Sequence, residues 1–177
     1  GFLYGLVALG LFLSYRTLDV ADLTTDGTFT LGAACSAVLT LQGHPVLGLG
    51  LALLAGVLAG GVTACLQTRL GVQPILAGIV TMTGLYSINL MVMGGRSNLN
   101  LLREKNVFTA AEALLGPMGK LALAGAAAAF AAVLLALFLR TQLGLSIRAT
   151  GDNREMVAAS SIDPAFTTTV GLCAANA

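Results

Sequence analysis

Of the 177 residues in this chain, 56% are hydrophobic and 10% are charged, far below the roughly 25% charge of soluble domains. That inventory excludes a water-soluble globular surface. A net charge of +1, with the basic side chains dispersed between apolar runs, gives no footprint for nucleic acid.

No Asp, Glu, Lys or Arg occurs from Gly27 to Thr68, from Leu70 to Gly95, or from Leu121 to Leu139. Each run is on the scale of the ~20 apolar residues that carry a helix across a bilayer. The pattern predicts an all-α, polytopic transmembrane helix bundle.

A first span is expected over Gly1–Tyr15, followed by a polar junction holding Arg16, Asp19, Asp22 and Asp26. A shorter apolar helix over Thr28–Leu41 ends where Gly43 and Pro45 break it. Spans three and four follow at Val46–Thr68 and Val72–Met93, joined by the tight link around Gly71. The polar loop Gly94–Gly119 comes next, with a short interfacial helix expected at Thr109–Leu115. A fifth span covers Lys120–Thr141. After a charged segment, Asp163-Pro164 reads as the N-cap and first-turn proline of a sixth. Both ends read as truncated, so residues 1–177 are expected to be part of a single transmembrane domain.

In the third span Gly48, Ala52, Gly56, Gly60 and Ala64 recur every fourth residue, a stripe that lets another backbone approach closely. Ala124, Ala128, Ala132 and Ala136 form a similar face in the fifth span, which suits the inside of a bundle. Cys35, Cys65 and Cys173 lack C-x-x-C spacing and read as buried small residues. His44 beside Pro45 reads as a turn residue. Basic residues in short loops favour the cytoplasm. Arg69, Arg140, Arg148 and Arg154 therefore place their junctions inside, and Gln42–Pro45 and Gly94–Gly119 outside.

Three segments could carry chemistry. Asp19, Asp22 and Asp26 share one helical face if the junction is helical, which would gather a cation site or proton relay. Alternatively Asp26 or Thr25 caps the second helix while the others face water or pair with Arg16. In span four, Met82, Tyr86, Asn89 and Met93 form one stripe that could line a path for an amphipathic solute. Interhelical hydrogen bonding is the alternative there. Within Leu145–Pro164, Asp152 and Glu155 are spaced as a capping box, starting a helix near Asn153 that runs to Ala159. Two turns are unstable alone, so this helix must dock on something; the alternative is an ordinary amphipathic loop lying at the lipid headgroups. Nucleophile–His–acid sets, H-E-x-x-H and G-x-x-x-x-G-K-[ST] are all absent.

The stretch A-T-G-D-N-R-E-M-V-A-A-S-S-I-D-P-A-F resembles the cytoplasmic coupling loop of ABC importer permeases of the branched-chain amino acid and ribose type. Ala149, Gly151, Asn153, Ala158, Ile162 and Asp163 carry the likeness. Upstream, L-D-V-A-D-L-T-T-D-G-T-F-T-L-G-A resembles the same permeases' segment after the first helix, through Asp22, Gly27, Gly32 and Ala33. Its form is most similar to the subgroup paired with aromatic amino acid-binding lipoproteins. Ser161 stands where the family usually has glycine, which reads as a turn that needs no positive φ.

The resemblance implies a permease subunit with no enzymatic activity and no cofactor of its own, ATP and Mg being held by a partner. It implies a multi-pass protein of the bacterial inner membrane, dimeric with a second permease subunit. An ABC ATPase dimer would dock in the cytoplasm, and an extracytoplasmic solute-binding protein would deliver a small molecule, most simply an amino acid. Membrane lipid is the surrounding partner. Arg148, Asp152, Asn153, Arg154, Glu155 and Met156 are then the expected ATPase contacts. Asp22, Asp26, Met82, Tyr86, Asn89 and Met93 are candidates for the translocation path, and Arg96, Arg103, Lys105 and Glu112 for receptor docking. Two other classes remain open on the residues alone: an ATP-independent secondary transporter or channel, and a purely structural membrane subunit.

Overall fold

The structure, a computed structural model, describes residues 1–96, 98 and 118–177. α1 (Phe2–Leu11) continues through a π-helical turn, Phe12–Thr17. α2 (Thr24–Leu41), α3 (Pro45–Thr68) and α4 (Pro74–Val92) follow. After the polar loop come α5 (Gly119–Leu139), α6 (Gln142–Asp152), α7 (Arg154–Ala159) and α8 (Pro164–Asn176). The described residues contain no strand, so the bundle is all-α. Among them α3, α4 and α5 are long and apolar enough to cross a membrane. The helix expected at Thr109–Leu115 lies outside the described residues.

Local chemistry sets the helix starts. Pro45, Pro74 and Pro164 occupy first-turn positions of α3, α4 and α8, where a missing N–H costs nothing. Gly43 takes φ +84° between α2 and α3, a left-handed turn that a side chain would strain.

α3 is the spine of the bundle, packed against both α2 and α8. Its small-residue stripe makes both contacts. A Cβ on Gly48 would come 3.1 Å from the Ser36 carbonyl oxygen of α2, and one on Gly60 2.5 Å from that of Leu172 in α8. Gly56 meets the Asn176 carbonyl the same way. α2 also packs on α4, where Leu31, Ala59 and Leu85 form one buried cluster. A second cluster unites Leu18, Val20, Ala64, Ile147 and Leu172. The C-terminal end of α3 and the helix α6 therefore meet at the same end of the bundle.

Three expectations are corrected. α2 begins at Thr24 rather than Thr28, because its first turn buries Thr24, Thr25 and Thr28 in polar contacts. The alanine-rich α5 does not sit inside the described bundle: no residue in its most apolar stretch is buried. It lies against α1 and α6, and its small side chains leave a groove instead of interlocking. The cysteines are free thiols but not buried, Cys65 being exposed and the other two half-buried.

Candidate functional site

The charged segment is two helices rather than one. α5 ends at Leu139, and Thr141 starts α6 by accepting the Gly144 N–H at 3.3 Å. The chain then turns back on itself, with Gly144 against the backbone of Phe138 and Leu139. The buried face of α6 is Gly144, Ile147 and Thr150. Thr150 Oγ1 lies 2.8 Å from Thr167 Oγ1, a hydrogen bond that joins α6 to α8. Gly151 packs on the Thr17 carbonyl at the end of the π-helical turn.

Asn153 then leaves the helix (φ −158°, ψ 102°) and caps α7, its Oδ1 accepting the Met156 N–H at 3.0 Å. The cap is thus Asn153, not the Asp152–Glu155 box. Asp152 is the last residue of α6, so its side chain cannot occupy the N-cap position. α7 runs Arg154–Ala159 and is anchored by Val157, which is 1% exposed. Around that anchor, Arg148, Asp152, Asn153, Arg154, Glu155 and Met156 are all exposed. None of the charged groups among them forms an ion pair with a described residue. α8 is capped by Asp163, whose Oδ1 accepts the Ala165 N–H at 2.9 Å, as Asp163-Pro164 predicts.

The turn between α7 and α8 overturns the expectation for Ser161. Its φ is +62°, the left-handed region that disfavours a Cβ by roughly 1–2 kcal/mol. The Ile162 N–H reaches back to the Val157 carbonyl at 3.2 Å, and that closure demands the positive φ. Ser161→Gly is therefore expected to raise stability by up to about 1 kcal/mol, less the extra freedom glycine gives the unfolded chain. Thermal unfolding of the purified protein in detergent checks this; an unchanged or lower midpoint contradicts it.

The acidic junction does not gather its carboxylates. Residues 18–23 are not helical, Asp19 sits at φ +54°, and Asp19 and Asp26 are exposed. Only Asp22 is buried, at 2% exposure. Its Oδ1 accepts the Thr24 N–H at 2.9 Å and its Oδ2 accepts Asn176 Nδ2 at 2.7 Å. Asn176 Oδ1 accepts the Thr28 hydroxyl at 2.9 Å, and Thr24 Oγ1 lies 3.0 Å from Thr63 Oγ1. This polar node ties α2, α3 and α8 together. Neither Asp26 nor Thr25 caps α2: the N-cap position is Leu23, which has no side-chain cap, and Asp22 just before it receives the Thr24 N–H. No cluster of three potential metal ligands exists among the described residues.

On α4, the face toward α2 is Ala77, Gly78, Thr81 and Leu85. Met82 and Tyr86 are exposed flanking residues, 39% and 66% respectively, while Asn89 and Met93 are half-buried. The Asn89 Oδ1 is enclosed without a hydrogen-bond partner among the described residues. Arg96 is exposed just beyond α4; Arg103, Lys105 and Glu112 lie outside the described residues. Sequence reasoning missed Asn176, the partner of Asp22 across 154 positions. The only available signal was an amide in a helix whose other polar side chains are threonines.

An all-helical membrane bundle with a short capped helix projecting beyond its end is the class these features define. More particularly, the chain belongs to the family described as branched-chain amino acid transport system / permease component, matched over residues 1–175. It is 36% identical over 172 residues to a tyrosine transport system permease protein of Clostridioides difficile (strain R20291), covering 97% of this chain and 56% of the relative. It is 33% identical over 149 residues to an uncharacterised protein of Rickettsia prowazekii (strain Madrid E), covering 84% of this chain and 51% of that one. The chain thus spans just over half the length of these curated relatives. No solved structure gives a significant match.

Proposed function

We propose that this chain is the permease subunit of an ABC importer of the bacterial inner membrane, carrying an amino acid with an aromatic side chain. It works as a dimer of permease subunits with a separate ATPase pair that binds ATP and Mg. An extracytoplasmic binding protein delivers the solute at the end that carries Arg96, Arg103, Lys105 and Glu112. The observation that carries the reading is α7, a two-turn helix fixed at its base by Val157 and capped by Asn153. It presents Arg154, Glu155 and Met156 outward on a chain otherwise poor in charge. Such a helix offers a partner both charge and an adaptable apolar contact.

Arg69 and the arginines of the α5–α7 region support a cytoplasmic placement of α7 under the positive-inside rule. Tyr86 and Met82, exposed on this chain, suit the lining of a path between two subunits that rock against each other. An ion-coupled transporter finds less support, because both oxygens of Asp22 already accept hydrogen bonds from the protein.

The test is reconstitution of the full-length protein with a candidate ABC ATPase and extracytoplasmic binding protein, measuring uptake of labelled tyrosine. Uptake is expected only with ATP. Like-charge juxtaposition across an interface costs several kcal/mol. Arg154→Glu with Glu155→Arg should therefore lower ATPase co-purification at least about tenfold while membrane insertion stays intact. ATP-independent uptake, or unaltered co-purification, refutes the reading.

A further inference from the structure

A cavity of about 440 Å³ opens between α1 and α5. Its walls are apolar, with Leu9 and Phe12 on one side and Ala132 and Ala136 on the other, and its end is lined by Arg140 and Arg148. The volume falls in the range of about 300–1,000 Å³ typical of small-molecule sites. The two halves of the site arise from separate causes. The alanine face of α5 meets α1 without filling the space between them, and the tight turn at Thr141 folds α6 back so that both arginines flank one opening.

Both arginines are exposed, and neither forms an ion pair with a described residue. Arg140 directly follows the last residue of a membrane-length apolar helix. Its guanidinium thus stands where hydrocarbon gives way to headgroups. A guanidinium presents five N–H donors in a fork that matches phosphate oxygens bidentately. Basic pockets between transmembrane helices are where anionic headgroups bind.

We infer that the groove between α1 and α5 is a binding site for an anionic phospholipid. Its phosphodiester sits between Arg140 and Arg148, and an acyl chain lies along Phe12, Leu9 and the alanine face. The charge pattern favours lipid over another helix: a helix filling the groove would have to place an acidic side chain at one end of an otherwise apolar face, whereas an anionic phospholipid joins a negative head to apolar chains by constitution. The inference rests on the chain spanning a membrane and does not depend on the importer reading.

The experiment is native mass spectrometry of the full-length protein in mild detergent, titrated with phosphatidylglycerol or phosphatidylcholine of identical acyl chains. Phosphatidylglycerol adducts are expected at several-fold lower lipid concentration. Arg140→Gln with Arg148→Gln should bring phosphatidylglycerol retention down to that of phosphatidylcholine. Arg69→Gln, outside the groove, should leave it unchanged. Ala136→Phe, which fills the groove without touching the charge, should reduce retention of both lipids. Equal retention of the two lipids, or wild-type retention in the Arg140/Arg148 variant, overturns the site. So does displacement of bound phosphatidylglycerol by millimolar inorganic phosphate, which would leave the acyl groove no part in binding. A dimer lost in Ala136→Phe while lipid adducts persist assigns the groove to a second copy and overturns it as well.

Discussion

Gly60→Leu is expected to leave almost no folded protein in a detergent extract, and Gly60→Ala to lower the unfolding midpoint clearly. Any Cβ at this position meets the Leu172 carbonyl oxygen at 2.5 Å and the Cys173 Cα at 3.0 Å. Both are backbone atoms, so no rotamer change relieves the contact and α8 must move off α3. Overpacking of this kind costs about 1–3 kcal/mol or more, against a total stability of about 5–15 kcal/mol for a folded domain. The control has the opposite sign. Gly84 sits inside α4, where an added methyl would meet nothing within 4 Å, so Gly84→Ala should gain up to about 1 kcal/mol of helix propensity. If Gly60→Ala and Gly84→Ala shift the midpoint in the same direction, close packing of α3 on α8 is not what holds the bundle.

The second large effect is expected at Asp22. Asp22→Ala strips the acceptor from the Thr24 N–H and from the Asn176 amide, both enclosed. Leaving a buried donor unsatisfied costs about 1–3 kcal/mol, and here there are two. Asp22→Asn should also be damaging, because its amide would face the amide of Asn176, which is held in orientation by Thr28 and by the Leu172 carbonyl. The exchange Asp22→Asn with Asn176→Asp re-creates a donor and an acceptor across the same gap. It should recover part of the loss, because the new carboxylate oxygen faces the Leu172 carbonyl to which the amide had donated. The measurement is a double-mutant cycle on thermal unfolding; additive single-site effects would show that the pair does not act as a unit.

The helix spans were legible because they depend on local composition. Long apolar runs and the Asp163-Pro164 start each declare themselves within a few residues, whereas Pro45 and Pro74, first-turn residues of α3 and α4, read in sequence only as a breaker and as part of a span. The stripe from Gly48 to Ala64 was legible for the same reason: close helix contact requires small side chains at a fixed period. The start of α2 was hidden because polar side chains there face inward, and Asp22 becomes a satisfied core group only once Asn176 arrives from 154 positions away. α6 was hidden too. Thr141, which caps it, reads in sequence as the end of the preceding span, so the start of a new helix there goes unnoticed. For the candidate site, the position of α7 could be read, but its cap and the left-handed Ser161 could not. Those depend on how the chain closes back onto Val157.

α8 has one end beside the outward-facing α7 and the other in the polar node. At 1.5 Å per residue its 13 residues span roughly 20 Å. Thr167 holds it to α6 near its start, Gly60 bears against it midway, and Asn176 grips Asp22 at its finish. The start of α8 and the Asp22 carboxylate at its finish are thus joined by one stiff rod with no slack joint along its length.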